Sequence, residues 1–221
     1  MDDPGWLKVD EYIEQALLGD DPELSSALDR NSAAGLPAID VSRAHAALLG
    51  VLARAVRARR ILEVGTLGGF STIELARAVP EDGLVTTIEL VAEHAEVARA
   101  NISAASVADR TEVIVGPALE VLDEMLEDPP EPFDFTFIDA DKEHSPDYFE
   151  RATKLSHPGA LIVVDNVVRA GSLALPGEGD AQAAGNRRLH EWIGQEPDIH
   201  ASTIQTVGRK GWDGFTIAVV G

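Results

Sequence analysis

The sequence predicts an α/β fold: a doubly wound, mostly parallel sheet closed by a C-terminal antiparallel hairpin and preceded by N-terminal helices. Three observations carry that reading. Short apolar strand-like runs alternate with helical stretches from Ile61 onward, and strands interleaved with helices make a parallel sheet. Two of those runs stop on acids, at Phe133-Asp134-Phe135-Thr136-Phe137-Ile138-Asp139-Ala140-Asp141-Lys142 and at Val163-Val164-Asp165-Asn166, and such sheets collect their ligands at the carboxyl ends of strands. A glycine-rich turn, Gly65-Thr66-Leu67-Gly68-Gly69, joins the first of the alternating strands to the helix that follows.

The elements follow in order. Leu7 to Leu18 and Pro22 to Leu28 carry helical spacing of apolar residues, and Ser42 is placed to N-cap a longer helix reaching about Ala58. Residues 1–58 thus form a helical preface. Over residues 59–221 the alternation begins with strand Ile61 to Val64 and helix Thr72 to Ala78, with Ser71 and Glu74 spaced as a capping box. It continues through strand Val85 to Ile88, helix Ala92 to Ala104, strand Glu112 to Val115 and helix Leu119 to Leu126. Strand Phe135 to Ile138, helix Pro146 to Leu155 and strand Leu161 to Val164 extend it. A Gly/Pro-rich loop from Ala170 to Gly179 is long enough to be a lid. Helix Ala183 to Gly194 then precedes two β-like runs, Ala201 to Thr206 and Phe215 to Val220, whose short connection predicts the antiparallel hairpin edge.

At 221 residues the chain suits a single domain with a closed core. It has no cysteine, which excludes disulfides, thiolate metal sites and cysteine nucleophiles and leaves oxygen and nitrogen chemistry. The formal net charge of -20, with no visible basic patch, makes nucleic acid a poor partner. No apolar span is long enough to cross a bilayer, and Met1-Asp2-Asp3-Pro4 is acidic where a signal peptide is basic. The expectation is a soluble cytoplasmic protein that binds no membrane.

The glycine turn lets a ligand approach the backbone closely. Its spacing is not G-x-G-x-x-G, which disfavours an NAD dehydrogenase, and Glu63, two residues ahead of Gly65, is unwelcoming to a dinucleotide phosphate. A cationic or zwitterionic ligand fits better. Glu89, ending the second strand, is placed to hydrogen-bond ribose hydroxyls, so the pair suggests an adenosyl ligand without phosphates. The competing reading is a tight strand-to-helix turn with Glu89 as a solvated strand end; Gly116-Pro117-Ala118 is either the wall of an adenine pocket or a plain turn.

Asp139 and Asp165 end strands that are neighbours if the alternation holds, about 4.8 Å apart, so both carboxylates can face one ion. Asn166 can add an amide oxygen. Crowded carboxylates resist ionisation unless a cation relieves their repulsion, and all-oxygen ligation favours Mg²⁺, with Mn²⁺ or Ca²⁺ as alternatives. Against this stands a role for both acids as helix N-caps. Lys142, three residues beyond Asp139 in a chain with only four lysines, is a candidate general base or a surface lysine. As a base it needs its neutral amine, which desolvation favours and adjacent acids oppose. His45, His144 and His157 are assigned to packing or surface and left out of the site.

Taken together, these residues resemble the cation-dependent class I O-methyltransferases, the group containing catechol and caffeoyl-CoA O-methyltransferases. The resemblance runs from about Ile39 to the C-terminus. It is carried by Leu62-Glu63-Val64-Gly65-Thr66-Leu67-Gly68-Gly69-Phe70-Ser71-Thr72, Gly116-Pro117-Ala118, Phe137-Ile138-Asp139-Ala140-Asp141-Lys142 and Val164-Asp165-Asn166. It implies a Rossmann-like core, S-adenosylmethionine as donor, Asp139, Asp165 and Asn166 as Mg²⁺ ligands and Lys142 as the base. It also implies a donor pocket lined by Val41, Glu63, Gly65, Ser71, Glu89, Ala118 and Asp139, and a homodimer. The acceptor it implies is a small phenolic molecule, catechol-like or phenylpropanoid. Other readings keep the donor but change the acceptor to a non-catechol, or reduce the chain to a non-catalytic adenosyl-binding module. Two departures from the family pattern stand out. Ile39-Asp40-Val41-Ser42-Arg43 replaces Met-x-Val-Ser/Thr-Pro, and Val207-Gly208-Arg209-Lys210-Gly211-Trp212-Asp213-Gly214 replaces a shorter Gly-Asp-Gly closure of the hairpin.

Overall fold

The computed structural model describes residues 5–175, 177 and 179–221. The acidic stretch Met1 to Pro4 and two residues of the expected lid, Pro176 and Glu178, lie outside the described residues. Three helices come first: α1 (Trp6–Ile13), prolonged by one π-helical turn over Glu14–Leu18, then α2 (Pro22–Ala33) and α3 (Arg43–Ala55). The Ser42 side chain accepts the His45 amide at 3.2 Å, so the expected cap starts α3. Asp21 caps α2 in the same way through the Leu24 amide, with Pro22 at the first helical position. That helix runs five residues beyond the expected end at Leu28, because Leu24, Ala27 and Asn31 at helical spacing give it one continuous buried face.

The alternation then runs β1 (Arg60–Val64), α4 (Phe70–Ala78), β2 (Leu84–Glu89), α5 (Ala92–Ala104), β3 (Thr111–Val115) and α6 (Ala118–Glu127). It continues with β4 (Phe133–Ile138), α7 (Ser145–Lys154), β5 (Ser156–Val164), α8 (Ala181–Ile193), β6 (Ile199–Gly208) and β7 (Gly211–Val220). The seven strands form one sheet in the order β3-β2-β1-β4-β5-β7-β6. The first five are parallel, and β7 is antiparallel to both β5 and β6. Strand order reverses between β1 and β4, which opens a crevice beyond their carboxyl ends.

Both faces of the parallel strands are covered, as their near-continuous apolar sequences require. Ile61, Phe135, Phe137 and Val163 pack toward Leu49, Ile73 and Ala98 of α3, α4 and α5. Leu62, Ile138, Ile162 and Val164 pack toward Leu122, Phe149 and Leu189 of α6, α7 and α8. Phe133, Phe135, Phe137 and Phe149 are fully enclosed, each contributing about 1.5–3 kcal/mol by burial.

Two local expectations are corrected. Ser71 and Glu74 do not make a capping box: α4 begins at Phe70 behind Gly69, whose φ of 81° makes a left-handed cap without a side chain, and the Ser71 hydroxyl turns inward instead. The Val207 to Gly214 stretch is not an inserted loop. Strands β6 and β7 run on through it in register, Val207 opposite Trp212 and Gly208 opposite Gly211, leaving Arg209-Lys210 as a two-residue turn. Among the described residues no helix is long and apolar enough to cross a membrane.

Candidate active site

The ladder at the switch point sets the site. Ile138 pairs with Val64 on one side and Val164 on the other. The next amides continue the row: Asp139 N–H donates to the Val64 carbonyl at 2.8 Å and Asp165 N–H to the Ile138 carbonyl at 3.0 Å. Parallel register thus delivers both acids to one level of the crevice. Two cavities open there. The larger, about 730 Å³, is walled by Gly65, Ser71, Glu89, Ala118, Asp139 and Lys142. The smaller, about 520 Å³, is walled by His45, Asp165, Arg169, Asp213, Phe215 and the hairpin turn. Val41, Asp139, Asn166 and Arg169 line both.

On the larger cavity, Gly65 has a φ of 98°, and a Cβ there would lie 2.4 Å from the Asp139 carbonyl oxygen. Glycine is therefore required on two counts. The Glu89 carboxylate accepts the Thr66 and Leu67 amides at 3.2 and 2.7 Å and the Val91 amide at 3.0 Å. It shapes the glycine turn and, with three of a carboxylate's about four acceptor sites taken, keeps about one for a ligand. Ala118 opens α6 on the far wall.

Glu63 differs from its expected position facing the ligand. It is fully buried beneath the turn, where it accepts the Ser71 hydroxyl at 2.6 Å, the Thr87 hydroxyl at 2.7 Å and the Thr72 hydroxyl. Thr87 in turn lies 2.6 Å from the Thr66 hydroxyl. Burial pushes the Glu63 carboxyl up to about 7, against the pull of the three hydroxyls. Its role in the site is to orient Ser71, which does line the cavity.

A wedge holds the other side of the turn. Asn31 of α2 donates to Asp40 at 3.0 Å and accepts from Asn101 at 2.8 Å, while Asn101 also donates to the Gly68 carbonyl at 2.8 Å. A Cβ at Gly68 would fall 2.0 Å from the Asn31 side-chain oxygen.

At the junction of the cavities, Lys142 is buried and its Nζ donates to Asp139 Oδ1 at 2.6 Å. The Lys142 carbonyl is fixed from outside by Gly185 of α8, where an added Cβ would come within 2.1 Å of it. Asp165 is 5% exposed, and its carboxyl is pushed up to about 8, first by burial and then by the charge of Asp139. Asn166, with a φ of 52°, donates its amide to Asp165 Oδ1 at 2.8 Å, and Asn186 holds its carbonyl at 3.0 Å. A crowded, desolvated pair of acids with an amide beside them fits a hard divalent cation, which would relieve the repulsion. Among the described residues no three His, Cys, Asp or Glu side chains converge to hold a metal ion; the expected set has two carboxylates, its third donor being the Asn166 amide.

Some residues of the site carry no sequence signal. His45, expected at a packing or surface position, does pack, with its ring 5.1 Å from that of Phe215, and its Nδ1 also stands 3.4 Å from Asp165 Oδ2. Burial lowers its pKa, favouring the neutral imidazole. Asp213 accepts the amides of Val168, Arg169 and Gly214 at 3.2, 2.9 and 2.9 Å, which fixes the loop after β5. Only the fold brings residues 45, 169 and 213 together.

Residues 19–219 match the family model described as O-methyltransferase. The chain is 51% identical to a catechol O-methyltransferase of Mycobacterium tuberculosis over 96% of this chain and 94% of that one. It is 40% identical to a catechol O-methyltransferase of Niastella koreensis, with 96% of each covered. Among solved structures, an O-methyltransferase from Bacillus cereus in complex with SAH superposes with a TM-score of 0.96 at 48% identity, covering 98% of each chain. One from Streptomyces achromogenes, involved in tomaymycin synthesis and in complex with SAM, gives 0.95 at 45% identity, covering 100% of this chain and 99% of that one. On this match the chain belongs to the O-methyltransferase family.

Proposed function

We propose that the protein transfers a methyl group from S-adenosylmethionine to a hydroxyl of a catechol-like or phenylpropanoid small molecule, with Mg²⁺ or another divalent cation held by Asp139, Asp165 and Asn166. The observation that carries this reading is the shared wall: Asp139 and Asn166 line both cavities, so a donor in one and an acceptor in the other meet there. The SAH and SAM complexes of the two structural relatives support S-adenosylmethionine as the donor, and the larger cavity has the glycine turn and Glu89 that suit it. Glu89 and Ala118 suit the adenosyl end, and Ser71, oriented by Glu63, suits the amino-acid end. A divalent cation, when bound, supplies charge that acidifies an acceptor hydroxyl.

The chain does the rest by positioning. Lys142, in its amine form, takes the proton from the acceptor hydroxyl onto Nζ, and the oxygen then displaces a neutral thioether from the methyl carbon. Because the leaving group is neutral, much of the acceleration comes from holding oxygen and methyl carbon about 3 Å apart. His45 and Phe215 wall the acceptor side and exclude water. The exposed edge strand β6, with Ile204 and Val207 outward, supports the homodimer.

Asp165→Ala separates the two halves of the proposal. Turnover of a catechol acceptor should fall about 10³-fold, the effect of several kcal/mol of lost charge stabilisation, with SAH binding by calorimetry preserved, since Asp165 does not line the larger cavity. Undiminished turnover of the parent protein in excess EDTA removes the cation from the scheme.

A further inference from the structure

The smaller cavity contains two kinds of charge, and they are not equivalent. Its acids are committed. Asp213 takes three amides, Asp40 takes the Asn31 side chain, Asp10 takes the Arg209 amide at 2.8 Å, Asp165 takes the Asn166 amide and faces His45, and Asp139 holds Lys142. Two of its cations are less so: among the described residues the Arg169 guanidinium has no hydrogen-bonded or ion-paired partner, and the Lys210 ammonium makes no hydrogen bond and feels only the charge of Asp40. A guanidinium held over a cavity without a partner is a binding group awaiting an anion.

The backbone around Arg169 is built to keep it there. Asn166, Arg169 and Ala170 take φ values of 52°, 49° and 53°, a left-handed stretch that non-glycine residues adopt only when their surroundings compel it. Asp213 and Asn186 supply that compulsion by bonding the amides of Val168 and Arg169 and the carbonyls of Asn166 and Val167. Arg169 is thereby fixed at the mouth between the cavities. Lys210 approaches from the hairpin turn, which Asp10 pins through Arg209.

We propose that Arg169 and Lys210 form a carboxylate-binding subsite, so that the acceptor is a catechol carrying a carboxylate on its ring or side chain. This rests on reading the smaller cavity as the acceptor site. Arg169 lines both cavities but Lys210 lines the smaller and not the larger one, so the two cations face one ligand together only on the acceptor side. In a chain of net charge -20, an anionic acceptor is repelled at long range. The two local cations offset that repulsion only for a molecule whose negative group reaches them while its hydroxyls reach Asp139 and Lys142. A planar guanidinium matches a carboxylate bidentately.

The test uses the full chain and two acceptors that differ by one group, catechol and 3,4-dihydroxybenzoate. The parent protein should prefer the acid. In Arg169→Gln the ratio of kcat/KM for the acid over catechol should fall about 10- to 100-fold, the worth of one charge-assisted hydrogen-bonded contact, with the loss in KM. Lys210→Gln should lower the same ratio a few-fold and Arg169→Lys should recover part of it. An unchanged ratio overturns the subsite, as does a parent protein without preference. Weaker SAH binding in Arg169→Gln with an unchanged ratio would assign Arg169 to the donor. If the parent methylates neither acceptor, the proposed function fails, and benzoate titrated calorimetrically against parent and Arg169→Gln still decides the subsite: equal affinities overturn it.

Discussion

The two halves of the proposed site, one for the donor and one for the acceptor, are made differently. The donor half is local: β1, the glycine turn, α4 and the end of β2 put Glu63, Gly65, Ser71 and Glu89 within about one βαβ unit of sequence. The acceptor half is assembled from remote pieces, Asp10 on α1, His45 on α3, Arg169 after β5, and Asp213 and Phe215 on β7. The donor half is held by buried hydrogen bonds to strand ends, and the acceptor half by loop and turn contacts nearer the surface. One consequence is that substitutions on the first half should be felt throughout the protein, and those on the second mainly by the acceptor.

The largest expected effect is on the donor half. Gly65→Ala combines a left-handed φ with a 2.4 Å clash against the Asp139 carbonyl, costing roughly 2–5 kcal/mol of stability. Chemical denaturation should report that loss, and calorimetry a parallel loss of SAH affinity; a variant as stable as the parent that still binds SAH would show that the turn is not the rigid half.

A smaller effect comes from Glu63, whose carboxyl is raised to about 7 in the fold from an ordinary 4.5. A raised group holds its proton more tightly when folded. Its contribution is fully present below about pH 4.5 and is lost as pH rises through 7, at a slope of at most about 1.4 kcal/mol per pH unit. Thermal unfolding of the ligand-free protein between pH 5 and 7.5 should therefore fall more steeply for the parent than for Glu63→Gln. Parallel curves would mean that Glu63 is ionised beneath the turn throughout.

The smallest effect tests the acceptor half. Asp10→Ala removes the acceptor of the Arg209 amide, a loss of about 1 kcal/mol or roughly fivefold. It should raise the acceptor KM by that factor and leave SAH affinity as it was. Equal weakening of both ligands would erase the distinction between the halves.

The same contrast explains what the sequence revealed. Strand alternation and the acids ending β4 and β5 are periodic, local signals, so the sheet, the glycine turn and the positions of Asp139, Asp165 and Asn166 could be read directly. Asp165 pairs in level with Asp139 because strand register is dictated by which face is buried. The direction of Glu63 was not legible: position two before the glycine fixes its strand face, but whether a ligand or three hydroxyls meet it depends on α4 and β2. No place in the site could be read for His45 or Arg169 for a similar reason, since what sets them at the cavity, Asp165 and Phe215 beside the His45 ring and Asp213 at the Arg169 amide, lies more than 40 residues away in sequence. The strands run on past their expected ends because, although Val207 to Gly214 are rich in glycine and charge, pairing across β6 and β7 overrides that composition.

The Asn31 wedge has an evolutionary corollary. Its carboxamide occupies the space that any side chain at position 68 would need, and it simultaneously ties Asp40 to Asn101. Positions 31 and 68 are thus not free to drift separately. A lineage that acquires a side chain at 68 must first shorten residue 31 and give up the bridge, so across divergent sequences the two sites should change together, with Asp40 and Asn101 released from constraint in the same step.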